Sequence, residues 1–243
     1  MKPILVEYAA GITCIDAMYI NPGHACCYLM VEKGRAAFID TGTGHSVPYL
    51  LETLKAKNVH VENVDYVIPT HVHLDHAGGA GLLMRQLPNA KLVIHPRGAS
   101  HMINPEKLVV GTTAVYGEDK FKQYYGEIIP IDEQRVMVAK DEDEIQLANR
   151  TLTFLDTPGH ARHHFCVYDH TSEGFFTGDT FGLSYKELDN EDGAFILPTT
   201  TPVQFEPDAW QNTLTRMLEH KPQNMYLTHF GRVTEIQRLA QQL

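Results

Sequence analysis

The 243-residue sequence predicts an α/β fold, a four-layer αββα sandwich with two sheets face to face and helices outside. Three observations predict it: apolar, β-rich runs fall into two blocks, each block is followed by segments of helical periodicity, and helix and strand alternate in both halves. Hydrophobic residues make up 43% and charged residues 21%, ordinary globular usage. A chain of this length buries a substantial core in one α/β domain. No internal repeat, low-complexity tract or Pro/Gly/Ser linker divides it, so residues 1–243 are read as one domain.

In chain order, the runs Ala25–Val31 and Arg35–Asp40 read as strands leading into Thr41-Gly42-Thr43-Gly44, where glycine permits tight turns. From Ser46 to Lys57, Val47, Leu50, Leu51 and Leu54 recur at helical spacing, and Asp65–Pro69 reads as a short buried strand. Gly78–Leu87 reads as a helix, Ala90–His95 as a strand, and Asn104–Ile129 as a partly helical segment rich in tyrosine and glycine. Residues around 97–135 form a candidate cap insertion. Its Tyr116, Phe121, Tyr124 and Tyr125 exceed the needs of a sandwich core, and such aromatics line a substrate cleft or a homodimer contact. The acidic run Asp141–Glu144 reads as a solvated turn. Strands resume at Thr151–Asp156, Phe165–Tyr168 and Gly174–Thr177, then come a helix over Pro207–His220, a strand at Asn224–Thr228 and a terminal helix.

Composition narrows the function classes. The opening stretch is mildly apolar, but Glu7 and Asp16 interrupt it and no processing site follows, so export is not expected. No run approaches the roughly 18 apolar residues of a membrane span. Four cysteines (Cys14, Cys26, Cys27, Cys166) are too few for a disulfide scaffold, and reduced thiols in a cytoplasm are expected. A net charge of −10 without a basic stretch disfavours nucleic acid and leaves a small molecule as the expected partner.

The strongest local signal is Thr70-His71-Val72-His73-Leu74-Asp75-His76, directly after the Asp65–Pro69 strand, with four candidate metal ligands in six residues. Alternation places His71, His73 and Asp75 on one side of an extended or turning segment, and the step to His76 lets neighbours diverge towards two metals. Alone, the heptapeptide also fits a histidine-rich solvated turn. Three later segments argue against that, because His160, Asp179 and His229 each stand where a strand stops. Ligands projecting from strand ends onto one rim are how open α/β scaffolds assemble sites.

These residues resemble the metallo-β-lactamase superfamily, whose pattern HxHxDH, then His, then Asp, then His is met in order and in full across most of the chain. The resemblance implies that His71, His73 and His160 hold one metal, that Asp75, His76 and His229 hold a second, and that Asp179 bridges them. The ions are two divalent metals, zinc first, with iron or manganese as alternatives. True β-lactamases carry Cys or Ser around the position of Asp179 and are exported, so antibiotic hydrolysis is not expected. Glyoxalase-II-type thioesterases match all seven ligands but add a helical domain, whereas 14 residues follow His229 here. Lactone-hydrolysing members match the ligands too and carry a tyrosine near the bridging aspartate, for which Tyr185 is a distant candidate.

The implied chemistry is hydrolysis of an ester, thioester or lactone by a metal-bridging hydroxide. Two ions about 3.5–4 Å apart share a water and lower its pKa from about 15.7 towards 7. Their charge outweighs the two carboxylates and the hydroxide, so an anionic or strongly polarised substrate is drawn in. Asp75 orients the water and shuttles a proton, as the catalytic residue. Asp40 resembles a family position that orients a ligand through a hydrogen bond. His163 and His164 read as half-exposed loop residues, His24 is ambiguous, and His45, His60, His95, His101, His170 and His220 read as surface or packing residues. The rival readings are an iron-dependent persulfide dioxygenase-like oxidoreductase and a phosphodiesterase or nuclease. The latter needs basic elements this sequence lacks. A non-catalytic binding module is disfavoured by the complete ligand set.

Overall fold

The computed structural model describes residues 2–191 and 193–243. Seven strands, β1 (Leu5–Glu7), β2 (Ile12–Asp16), β3 (Cys26–Glu32), β4 (Arg35–Ile39), β5 (Val64–Ile68), β6 (Lys91–Ile94) and β7 (Val136–Val138), lie in one sheet in sequence order. β1 to β4 pair antiparallel, with a longer loop between β2 and β3, and β4 to β7 pair parallel. Parallel neighbours need long crossovers. Helix α1 (Val47–Ala56), the single turn α2 (Leu74–Ala77), α3 (Ala80–Gln86), α4 (Ala99–Ile103), α5 (Glu106–Tyr116) and α6 (Glu118–Tyr125) supply them.

The second sheet holds β8 (Glu144–Leu147), β9 (Arg150–Asp156), β10 (Phe165–Asp169), β11 (Gly174–Gly178), β12 (Asn224–Leu227) and β13 (Gly231–Val233) in the order β13-β12-β11-β10-β9-β8. Only β11 and β12 pair parallel among these, and α7 (Pro207–Glu219) makes their crossover, with α8 (Ile236–Gln242) ending the chain.

Period-2 alternation sorts side chains into layers. From β3, Cys26, Tyr28 and Met30 enter the space between the sheets, while Cys27 and Leu29 face the layer of α1 and α3. From β9 and β10, Leu152, Phe154, Phe165 and Val167 meet them from the other sheet. Leu155, Cys166 and Phe175 face outward, packing with Trp210, Leu214 and Met217 of α7 and Leu239 of α8. The result is a four-layer αββα sandwich, as the sequence predicts.

A buried ion pair within the second sheet also ties it to the first. Arg150 donates from Nε and Nη2 to the two Asp169 carboxylate oxygens at 2.7 and 2.5 Å, and from Nη1 to the Ala10 carbonyl at 2.6 Å in the β1–β2 turn. Both side chains are wholly buried.

Several short strands escape the sequence pattern. β2 is hidden because Asp16 reads as an interruption, yet its buried carboxylate caps the following loop, accepting from the Met18 and Gly23 backbone N–H groups at 2.8 Å each. The acidic run Asp141–Glu144 is exposed as expected, but Glu144 opens β8, and Asp141 and Glu142 pair with Arg216 of α7. In the 97–135 segment, Phe121 and Tyr125 of α6 pack on Leu74, and His45 Nε2 meets the Lys122 carbonyl at 3.1 Å. α5 has no buried residue.

Candidate metal centre

Sheet ends at one edge of the sandwich converge on a rim. Asp40 follows β4, the Thr70–His76 segment follows β5, His160 follows β9, Asp179 follows β11 and His229 follows β12. Rigid strands thereby fix side chains that loops leave accessible. The chain must turn abruptly between β11 and Asp179, and Gly178 does so at φ +49°, where a Cβ would stand 2.5 Å from His164 Nε2 and 2.6 Å from Thr70 Oγ1. The motif differs in detail from an alternating extended segment. Residues Leu74–Ala77 close a helical turn, so Asp75 and His76 diverge by helical rotation.

All seven sequence-predicted ligands come together. Donor atoms of His71, His73, His160 and Asp179 lie within 4.8 Å of one another, as do those of Asp75, His76 and His229. Asp179 spans the two groups. Its Oδ2 is 3.1 Å from His160 Nε2, and its Oδ1 is 3.1 Å from His76 Nε2 and 3.4 Å from His229 Nε2. Asp75 Oδ2 stands 3.5 Å from His229 Nε2 and 3.8 Å from His76 Nε2. Two donors each about 2.0–2.2 Å from one tetrahedral ion lie roughly 3.3–3.6 Å apart, so these spacings suit shared cations. His76 Nε2 and Asp179 Oδ1 are moreover buried with no well-aligned hydrogen bond, although they stand 3.1 Å apart. A cation ligated by both would satisfy the two atoms. The residues therefore fit metal.

The other nitrogen of each imidazole sets which one faces inward. His160 Nδ1 donates to the Thr199 carbonyl at 3.0 Å, His229 Nδ1 to the His24 carbonyl at 2.7 Å and His76 Nδ1 to Asp40 Oδ2 at 2.8 Å. Each leaves Nε2 as the nitrogen that faces the centre and that would ligate a metal once free of its proton. Asp40, wholly buried, also accepts from the Thr70 backbone N–H and from Thr228 Oγ1, both at 2.7 Å. That tie links the ends of β4, β5 and β12.

Electrostatics divides the histidines. Burial, the positive charge of His76 and that of His73 push His71 well below its ordinary range, and burial with His160 brings His73 down to about 4. Burial also works against protonation of His76 and His229, but the Asp179 carboxylate overrides it, holding His76 well above its ordinary range and raising His229 to about 9. Burial favours the neutral form of Asp179, yet His76, His160 and His229 hold it well below the carboxylate range.

His164, read from sequence as a half-exposed loop residue, is wholly buried. Its Nδ1 pairs with Thr157 Oγ1 at 2.7 Å, its Nε2 accepts the Asp179 backbone N–H at 3.2 Å, and its ring lies 4.7 Å from that of His71. It fixes the backbone of the spanning aspartate. His163 is half-buried, its ring stacked 6.1 Å from His71. His95 is buried and pairs with Asp156 at 3.0 Å, a packing role. Thr70 and Thr228 act through hydroxyls that look like those of any loop threonine, and the carbonyls of His24 and Thr199 carry no sequence signal, since backbone acceptors have no residue identity.

A cleft of about 540 Å³ opens over the centre. Asp75, 22% exposed at its side chain, faces it, whereas His76 is wholly buried. Leu108, Thr112 and Tyr116 of α5 form one wall, with Tyr19 and Tyr125, whose hydroxyls lie 3.2 Å apart. Tyr185 and residues Leu197–Pro202 form the other.

Residues 20–229 match the family model described as the metallo-beta-lactamase superfamily. A metallo-beta-lactamase fold-containing protein of Sulfurisphaera tokodaii is 27% identical over 216 residues, covering 88% of this chain and 75% of its own. The crystal structure of that archaeal protein superposes with a TM-score of 0.78 at 26% identity, covering 97% of this chain and 86% of the other. An acyl-coenzyme A thioesterase of Homo sapiens is 27% identical over 70% of this chain, and a hydroxyacylglutathione hydrolase of Pelagibacter ubique is 27% identical over 63%. The matches span 63% and 49% of those two relatives. With the family match, the sandwich and the converging His/Asp set all in agreement, the chain belongs to the metallo-beta-lactamase superfamily.

Proposed function

We propose that this protein is a dinuclear metal-dependent hydrolase that cleaves an ester, thioester or lactone. One observation carries the reading: the two oxygens of Asp179 divide between two donor groups, Oδ2 towards His160 and Oδ1 towards His76 and His229. His71, His73 and His160 would hold one ion, Asp75, His76 and His229 the other, and Asp179 both. The all nitrogen and oxygen donor set suits zinc first, with iron or manganese as alternatives. Divalent ions held there would polarise an acyl oxygen and lower the pKa of a water from about 15.7 towards about 7.

The protein's own groups supply the rest. Asp75, which lines the cleft, would orient the attacking water, accept its proton and return that proton to the departing oxygen or sulfur. The water oxygen joins the acyl carbon, the acyl C–O or C–S bond breaks, and acid and alcohol or thiol leave. The cleft walls hold the acyl group over the centre and exclude bulk water. The relatives named as thioesterase and hydroxyacylglutathione hydrolase support acyl over phosphoryl chemistry, as does the net charge of −10, which disfavours a phosphate backbone.

The test is a panel of neutral esters, thioesters, lactones and phosphodiesters with metal-loaded protein. Carbonyl-ester turnover that chelation abolishes and zinc restores is expected. Phosphodiesterase activity with no carbonyl turnover would overturn the acyl reading.

A further inference from the structure

The cleft has a charge pattern that bears on its substrate. Among the described residues lining it there is no lysine or arginine, and the ionised carboxylates are Asp75 and Asp179, both part of the centre itself. Beyond the centre the walls are tyrosine, leucine, threonine and proline. On α5, Leu108, Thr112 and Tyr116 recur every four residues, so a single helix face lines the cleft along its length. Its volume of about 540 Å³ falls in the range of roughly 300–1,000 Å³ that holds a drug-sized molecule. The chain as a whole carries −10, so its long-range field repels anions as they approach.

A charged carrier needs partners. Carboxylates brought against an apolar wall lose water, and without Arg or Lys to pair them they pay that desolvation in full. Neutral acyl and leaving groups gain instead from tyrosine and leucine surface. Resting on the hydrolase reading above, we infer that the substrate is an uncharged, partly apolar ester, thioester or lactone, and that the cleft discriminates against glutathione thioesters, whose carboxylates stand close to the sulfur. The acyl chain lies along Leu108, Thr112 and Tyr116, and selection arises from the missing cations of the walls rather than from the centre.

The inference is tested by placing one acyl group on two carriers. Zinc-loaded protein is assayed with S-butyryl-N-acetylcysteamine, which is neutral, and with S-butyrylglutathione. The neutral thioester is expected to show kcat/KM at least about tenfold higher, with the gap narrowing as salt screens the protein's charge. Binding to metal-free protein is measured alongside with the non-hydrolysable S-butyl thioethers of both carriers, and the neutral one is expected to bind at least about tenfold more tightly. Thr112→Arg adds a cation to the wall on a helix with no buried residue. It should raise the glutathione to neutral ratio several-fold in protein whose circular dichroism is unchanged. Equal or better turnover of S-butyrylglutathione overturns the inference while leaving the hydrolase reading intact, as does a ratio that Thr112→Arg leaves unmoved. Turnover of no carbonyl substrate at all, with phosphodiesters cleaved, overturns the hydrolase reading and this inference with it.

Discussion

His76 Nδ1 lies 2.8 Å from Asp40 Oδ2, and neither side chain is exposed. A carboxylate acts here through an imidazole: it holds the Nδ1 proton, so that Nε2 faces Asp179 and Asp75 and is the nitrogen left to ligate a metal. Asp40→Asn keeps the shape but can present an amide N–H to His76 Nδ1, reversing the tautomer. Metal affinity should fall about 10–100-fold, in the range found for partners of metal-bound histidines. Titration against a competing chelator measures it, and an unchanged affinity would mean that Asp40 serves only to tie strand ends together.

Asp75→Asn should retain fold and carbon-substrate binding but lose about 10²–10⁴-fold in kcat, the usual contribution of a positioned proton-transfer group. Because Asp75 also stands in the second donor group, metal content must be measured on the same sample. Full metal with full turnover would remove Asp75 from the proton path.

Metal uptake should release protons. His229, raised to about 9 chiefly by the Asp179 carboxylate against the pull of burial, is protonated in the metal-free protein from its unfolded value near 6.5 up to about 9. Its folded value is the higher, so this proton stabilises the metal-free fold fully below about 6.5, and that contribution is lost as pH rises through 9. A metal ligand must be neutral, so binding between pH 6.5 and 9 expels the proton and affinity rises with pH across that window. Calorimetry of zinc binding at pH 7.5, in buffers of different ionisation enthalpy, should show net proton release. No buffer dependence would contradict the electrostatic picture of the site.

Arg150→Ala should cost about 3–5 kcal/mol of stability, because it leaves the buried Asp169 carboxylate without a countercharge, held only by hydrogen bonds from Thr171 and Ser172. Arg150→Met should cost less only if Asp169→Leu accompanies it. Urea denaturation of metal-loaded protein reads both, and a loss under about 1 kcal/mol would show that water reaches the pair.

The sandwich was legible because its interior strands are runs of apolar residues whose alternation and length leave few other readings, as in Ala25–Val31 and Thr151–Asp156. Three-residue strands such as β1 and β13 carry too few side chains to show a period, and a buried acid such as Asp16 imitates a break. At the site, side-chain donors announce themselves by residue type, so all seven could be singled out. Groups that orient them do not. His164 looks like any loop histidine until Gly178 brings the chain against it, and the partners of His160 and His229 are carbonyls of Thr199 and His24, positioned by tertiary folding alone.

Metal stoichiometry bears most directly on the assignment of two ions around Asp179. Protein purified without chelator, dialysed against zinc and analysed by elemental mass spectrometry should carry about two ions per chain. Asp179→Ala should weaken both sites together, since its two oxygens face separate donor groups. One ion per chain at saturation, or loss of a single ion in the variant, would contradict it.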